Sequence, residues 1–501
     1  MLGEVVMMCT LCSQNVTGVL VLIAPYIFIP NSCIMFFPML RITSEEGYNV
    51  RHGDKTLQVL PAENGTIHVG EVTATEEAAV RFLDAHTRAC FTHQPWSISV
   101  QLLNAPAGSG KTRSNIELAA HLTQSGQRVK MLAFSRNAQE DGQRRTQNEN
   151  VVWQTIDSCV WQILPEQELQ VDLSSATKVQ EAVATVLGLT LSLTEVDQWR
   201  KDLDKACSTG DESRLGGTAA AMFEAGLRGR WWCFALLRVR ALRSPELWTA
   251  AMVQFTTVIV DESQDLNPVM ISLLLLLRPT HMLIFTRDCQ QKIFGFNGCE
   301  DVASHLSAAG IEVTRWQLYL TFRHGRAVCD YLNEHQLSAC TTFPADGLHE
   351  TALTYAEPSY ILPGQHMVLL KWWCDILRLA DRYLNAGRAV RIDSQKRAYF
   401  LDAVDSPDHN SLFNTLARHR VRDIVSRTLV DDVSVPDTIT LSTVHSSKGL
   451  EFGTVRIWSC VMNARTDEQL CVKYVAITRV QTHLVLPIPT AHGCKKRARC
   501  C

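Results

Sequence analysis

From about residue 71 the chain alternates short apolar runs with longer stretches whose apolar positions recur at helical spacing. The runs are Ser99–Leu103, Val129–Phe134, Thr256–Val260, His281–Phe285, Ile439–Val444, Thr454–Cys460 and His483–Ile488. Apolar runs of this kind, bounded by turn residues, suit strands buried on both faces. Their alternation with helical stretches predicts an α/β fold built on parallel sheets. Residues 165–250 break the rhythm: polar, helix-prone and glycine-containing, they read as a helical insertion. No repeat of solenoid period is visible.

The N-terminal pattern is different. No charged residue occurs between Glu4 and Arg41. Val16–Leu40 is long enough to span a bilayer. Against this, Pro25, Pro30 and Pro38 interrupt it, Asn31 and Ser32 fall within it, and no positive segment precedes it as in a signal peptide. Three readings stay open: an extension that packs or stays unstructured, a membrane or targeting segment, or a true start at Met39.

At 501 residues the chain has room for roughly three compact units. Its 46% hydrophobic content is that of a folded globular protein. A net charge of -3 excludes a binder that works through bulk positive charge, but leaves open nucleic acid held along a local groove. The 17 cysteines are odd in number and scattered from Cys9 to Cys501, which favours a reducing compartment, nuclear or cytoplasmic. Cys9-x-x-Cys12 has no second pair at zinc-site spacing. The tail Lys495–Cys501 is basic and reads either as an import signal or as a solvated charge run.

The strongest local chemistry is Ala105-Pro-Ala-Gly-Ser-Gly-Lys-Thr112, between a predicted strand and a predicted helix. Small residues at Ala107, Gly108, Ser109 and Gly110 let backbone N–H groups approach phosphates. Lys111 reaches the β/γ-phosphates and Thr112 can ligate Mg²⁺. A second motif, Asp261-Glu-Ser-Gln-Asp265, follows the strand Thr256–Val260. Asp261 is placed to hold Mg²⁺ and Glu262 to polarise an attacking water. Together the two motifs predict hydrolysis of a nucleoside triphosphate.

The DESQD sequence resembles motif II of superfamily 1 DNA helicases of the UvrD/Rep/PcrA type, and the resemblance continues in order along the chain. Leu132–Ala138 resembles motif Ia, Thr155–Ser158 motif Ib, Asp288–Gly298 motif III and Leu320–Arg323 motif IV. Thr443–Phe452 resembles motif V and Tyr474–Arg479 motif VI. The resemblance implies two RecA-like domains with ATP and Mg²⁺ between them. It implies that Gln264 and Gln291 sense the γ-phosphate or its attacking water. Arg323 and Arg479 would act as arginine fingers, Phe322 would stack on adenine, and Arg113, Gly449 and Glu451 would border the nucleotide. Single-stranded DNA would cross Ser135, Arg136, Asn137, Thr155, Ser158, Thr443 and His445, with Phe296 stacking a base.

Several positions depart from the family pattern. Ala105 opens the phosphate loop in place of Gly, and Asp157 stands where His is common. Arg287 replaces a Gly, Asn297 an Arg that helps couple ATP to DNA, and Glu77 the Gln that reads adenine. The segment Arg228–Arg243 interleaves arginines with aromatics. It reads equally as a phosphate contact or as an amphipathic helix packed on the first domain.

The implied organisation is an apolar extension (1–70), a first domain (71–315) carrying the insertion at 165–250, a second domain (316–490) and a basic tail (491–501). The interval between motifs IV and V is too short for the large second-domain insertion of full-size relatives, so the chain is similar to compact F-box DNA helicase cores. The expected activity is ATP-driven movement on single-stranded or tailed DNA, 3′ to 5′ by family analogy. Expected partners are that DNA and proteins of replication or repair, with membrane contact only if the N-terminal segment supplies it. Two rivals are a motor-deficient single-strand-binding or scaffold protein and an RNA-directed superfamily 1 helicase.

Overall fold

A computed structural model describes residues 100–488 except 164–170, 174–175, 229–230, 296–297, 340, 346, 349, 393–396, 398–399, 402–403, 405–416 and 430–434. Ahead of these it describes 5–8, 21–24, 48–52, 55–61, 67–69 and parts of 81–92. Two compact units result, Met1–Gln94 and Pro95–Cys501. In the first, Val5–Met8 pairs antiparallel with Val21–Ala24. Tyr48–His52, Lys55–Pro61 and Ile67–Val69 form a three-stranded antiparallel sheet. Most of the apolar stretch at 16–40 lies outside the described residues, as do Glu77 and the basic tail. Among the described residues no helix is long and apolar enough to cross a membrane.

The second unit contains two six-stranded sheets, parallel throughout. The first comprises β1 (Val100–Asn104), β2 (Val129–Ala133), β3 (Val151–Thr155), β4 (Thr257–Val260), β5 (Met282–Arg287) and β6 (Val313–Gln317). Their order is β6-β1-β5-β4-β2-β3. The second comprises β7 (Ala352–Ala356), β8 (His366–Leu370), β9 (Val390–Ile392), β10 (Ile439–Thr443), β11 (Phe452–Ile457) and β12 (Val480–Pro487). Their order is β7-β12-β11-β8-β10-β9.

All seven apolar runs of the sequence fall on or across these strands. The pattern did not single out β3, β6, β7, β8 and β9. Four of these, β3, β6, β7 and β9, are edge strands, and in β6 and β7 the positions are mostly polar or half-exposed, so burial on both faces does not mark them.

Strand alternation explains how one run serves two cores. In β8, Met367 and Leu369 face one apolar cluster, with Val455, Leu484, Val475 and Ile477. Val368 and Leu370 face another, with Ile376, Tyr383, Ile424 and Leu441. Truncating a fully buried residue such as Leu369 to Ala costs about 2–5 kcal/mol.

The 165–250 segment is helical as the sequence implied, with helices Ala176–Leu187, Leu193–Thr209, Gly217–Leu227 and Phe234–Arg243. Val179, Val196, Trp199, Phe223 and Leu236 build its own core. The helix Phe234–Arg243 adopts the amphipathic-packing alternative: Leu237 and Ala241 enter the first-sheet core, while Leu236 and Val239 enter the insertion's.

Candidate active site

β1 leads into the loop at Ala105 and out into the helix Lys111–Gln124. Gly108 (φ 72°) and Gly110 (φ 80°) both take the left-handed conformation that favours glycine. A Cβ on Gly108 would also stand 2.5 Å from Cβ of Arg323 and 2.7 Å from Oγ1 of Thr321. The loop is therefore pressed against the segment Thr321–Arg323. Buried Lys111 reaches only main-chain carbonyls, Ala105 O at 3.4 Å and Pro106 O at 3.5 Å. The hydroxyls of Ser109 and Ser263 are buried without a hydrogen-bond partner. An ammonium at a helix N-terminus without a side-chain hydrogen bond, beside the unpaired Ser109 hydroxyl, fits a polyphosphate.

β5 lies between the strand of the loop and the strand of the acids, and it braces Asp261. The carboxylate accepts from Thr112 Oγ1 (2.7 Å) on one oxygen. On the other it accepts from Thr286 Oγ1 (3.0 Å), Asn115 Nδ2 (3.3 Å) and the backbone N–H of Glu262 (3.1 Å). Burial first, and then the charge of Glu262, raise the Asp261 carboxyl above its ordinary value, against Thr112 and Lys111. A carboxylate held this way gains from a nearby dication. Thr112 and Asp261 offer the hard oxygen donors Mg²⁺ prefers. Among the described residues no cluster of three or more His, Cys, Asp or Glu could hold a metal alone. The remaining ligands of an ion here would come from phosphate and water.

Glu262 has φ 53°, a left-handed conformation unusual for a side-chain-bearing residue. Gln264 Nε2 donates to its carboxylate. Burial works against its ionisation, but Lys111, Lys448, Gln264 and Arg479 outweigh burial and hold the carboxyl below its ordinary value. It is therefore an ionised base within a ring of positive charge.

The second domain closes the ring. Thr321 Oγ1 donates to Ala107 O (2.9 Å) and Phe322 N to Gly108 O (2.8 Å). Arg323 pairs with Glu451 at 2.6 Å and donates to Thr478 O at 2.9 Å, and Gln481 holds the other oxygen of Glu451. Arg479 is buried, with Nη1 3.3 Å from Leu450 O and Nη2 3.4 Å from Gln291 Oε1. Burial, then the Arg323 guanidinium, lower the Arg479 value. Two crowded guanidiniums are what a transferring phosphoryl group would relieve. Lys448 donates to both oxygens of Asp265 (2.7 and 2.6 Å) and to Gln291 O (2.7 Å). Burial raises Asp265 to about 6 even so. Phe322 is 53% exposed, and Gly449 takes φ 85° in the motif V turn.

The structure thus brings Lys111, Thr112, Asp261, Glu262, Gln264, Gln291, Arg323 and Arg479 into one cleft, with Phe322, Gly449 and Glu451 beside it. Arg113 instead lies exposed, paired with Glu117 at 2.8 Å. The strand-contact candidates divide. Arg136 and Asn137 are exposed behind the capping Ser135, whose hydroxyl accepts from Ala138 N. Thr155 and Thr443 are buried: Thr155 caps Ser158 N (3.1 Å) and Thr443 accepts from Ser446 N (3.2 Å). Ser158 meets Thr155 at 2.8 Å, and His445 is half-buried, 6.1 Å from Phe294. Phe296 and Asn297 lie outside the described residues. Phe294 stacks on Phe134 at 5.6 Å with Lys448 above it, an aromatic pair the sequence reading missed. Asp157, at the position where His is common, makes a bidentate pair with Arg238 of the insertion (2.6 and 2.8 Å). Arg287 pairs with Asp301.

Asn115, Thr286, Asp288 and Tyr474 also belong to the site, although sequence reasoning gave them no role. Asn115 had one usable signal: it falls one helical turn after Lys111, on the same face.

Residues 93–297 match the AAA domain family and residues 400–489 the UvrD-like helicase C-terminal domain family. A stretch of 166 residues, 31% of the chain, is 26% identical to ATP-dependent DNA helicase Rep of Buchnera aphidicola subsp. Acyrthosiphon pisum (strain APS). That stretch spans 25% of the relative's length. The structure of PRRSV helicase superposes with a TM-score of 0.33 at 13% identity, over 86% of this chain and 62% of that one, which is too loose to bear on fold or function.

Proposed function

We propose that this chain, which belongs to the UvrD/Rep-type superfamily 1 helicases and carries their two RecA-like domains, hydrolyses ATP to move along single-stranded DNA and separate duplexes. The observation that carries the reading is the meeting of the two domains' charges in one cleft. Lys111, Thr112, Asp261 and Glu262 lie around the first sheet, Arg479 directly precedes β12 of the second, and Arg323 lies on the segment between the two sheets.

In this reading the loop backbone and Lys111 bind the β- and γ-phosphates, and Phe322 covers the base. Thr112 and Asp261 would hold Mg²⁺, which would supply charge neutralisation at the phosphates. Glu262 takes the proton of the attacking water, Gln264 and Gln291 orient that water, and Arg323 and Arg479 stabilise charge developing on the transferred phosphoryl group. Because the two halves of this machinery sit on different domains, nucleotide binding favours a closed cleft and hydrolysis reopens it. Alternating grip by the Ser135–Asn137 and Thr443–His445 segments would convert that cycle into steps, 3′ to 5′ by family analogy. The scattered cysteines support a reducing compartment, nuclear or cytoplasmic.

Strand displacement tests this reading on DNA duplexes with 3′ or 5′ single-stranded tails, and on the matching RNA duplexes. The reading expects ATP-dependent opening of the 3′-tailed DNA. Exclusive use of 5′ tails overturns the polarity, and opening of RNA alone overturns the substrate class.

A further inference from the structure

Ala107 has both of its main-chain groups bonded by the second domain. Its C=O accepts from Thr321 (2.9 Å), and its N–H donates to the phenolic oxygen of Tyr474 (2.9 Å). Tyr474 is buried on the helix Asp467–Ile477, 367 residues further along the chain. Its hydroxyl donates in turn to Asp288 Oδ2 at 3.0 Å. The same oxygen accepts from Gln291 Nε2 at 2.9 Å, and Gln291 Oε1 accepts from Arg479 Nη2 at 3.4 Å. Asp288 is fixed from behind, accepting from Gln290 N (3.1 Å) while its own N–H donates to Gln264 Oε1 (3.1 Å). One buried hydroxyl thus joins the phosphate loop to the γ-phosphate-facing amide and the arginine finger.

We propose that Tyr474 is a positioning residue that makes the phosphate loop, Gln291 and Arg479 move as one body. The inference rests on the nucleotide-hydrolysis reading above and adds to it the part that transmits loop position to the finger. A phenol suits the task because it donates and accepts through one oxygen, while its ring is buried as part of the second-sheet core. With the ring anchored, a shift of Ala107 on nucleotide entry moves either the Asp288–Gln291 pair or the hydrogen bond. In the dry interior the bond to a carboxylate is the stronger constraint. Tyr474 touches no reacting atom in this account. It sets where Gln291 and Arg479 stand when the loop is filled.

The test compares wild type with Tyr474→Phe, which keeps the ring and removes the hydroxyl, in steady-state ATP hydrolysis with saturating single-stranded DNA. The expected result is a kcat lower by about tenfold or more, with KM for ATP changed far less, since the groups it positions, Gln291 and Arg479, act on charge that develops only in the transition state. Asp288→Asn interrupts the same relay from the other side. The double variant is expected to be no slower than the slower single variant, because both break one chain of bonds. A thermal melt of each variant separates this from a folding defect. A lower Tm with kcat per folded molecule equal to wild type overturns the proposal, as does full additivity in the double variant. Absence of DNA-stimulated hydrolysis in wild type would instead overturn the hydrolysis reading itself.

Discussion

At the carboxyl ends of its strands the first sheet sets one lysine among carboxylates, hydroxyls and a bare loop. The second sheet sets Arg479 and Lys448 against the same cleft, and the segment between the sheets adds Arg323. The first arrangement can bind a phosphate chain, hold a dication and ionise a base. The second can neutralise charge that appears only as the bond to the γ-phosphate breaks. The division explains the electrostatics of each side. Glu262 is kept ionised by cations that come partly from the other side of the cleft, while burial and then Arg323 lower the Arg479 value. In the proposed reading, catalysis draws on groups from both sides of the cleft.

The comparison can be broken most severely at Arg479. Arg479→Ala is expected to lower kcat by about 10³-fold while nucleotide affinity stays within a few-fold, read by steady-state hydrolysis beside titration of a fluorescent ATP analogue. A matching loss in affinity would mean that the second domain binds as much as it catalyses. Next in size, Glu262→Gln on the first sheet should cost about 10²-fold in kcat with binding retained, in the same pair of assays.

A smaller effect separates the two sides by pH. The His324 ring is buried beside Arg323 with neither nitrogen hydrogen-bonded, and burial, then Arg323 and Arg479, depress its value from 6.5 to about 3. Between those values the unfolded chain binds a proton that the folded chain refuses, so stability falls as pH drops below 6.5. The loss is at most about 1.4 kcal/mol per pH unit. Urea melts at pH 7 and pH 5 should show the loss in wild type and a reduced loss in His324→Leu. The smallest expected change is at the first sheet's outer edge. Arg238→Ala removes the partner of Asp157 and should cost about 1 kcal/mol in a thermal melt, leaving nucleotide affinity unchanged.

How much of this was legible in the sequence varies with what each residue depends on. Lys111, Thr112, Asp261 and Glu262 stand in contiguous motifs whose spacing follows from strand, loop and helix geometry. The central strands β4 and β5 were visible because burial on both faces leaves a run of apolar residues, although β8, equally buried, was missed. Edge strands β6 and β7 were not, since their exposed faces admit polar residues. Tyr474 and Asn115 escaped because their partners, Ala107 and Asp288 or Asp261 and Thr286, are brought to them only by the tertiary fold. Thr155 and Thr443 show the converse: motif resemblance singled out hydroxyls that, in the fold, cap their own turns. The Asp157 departure became intelligible only when Arg238 of the insertion was found against it.

The most direct measurement of the central claim is ATP hydrolysis by wild type and Lys111→Ala, each with and without single-stranded DNA. The account predicts hydrolysis that DNA stimulates in wild type and that the variant lacks under both conditions. Wild-type hydrolysis no greater than the variant's, or indifferent to DNA, would contradict it.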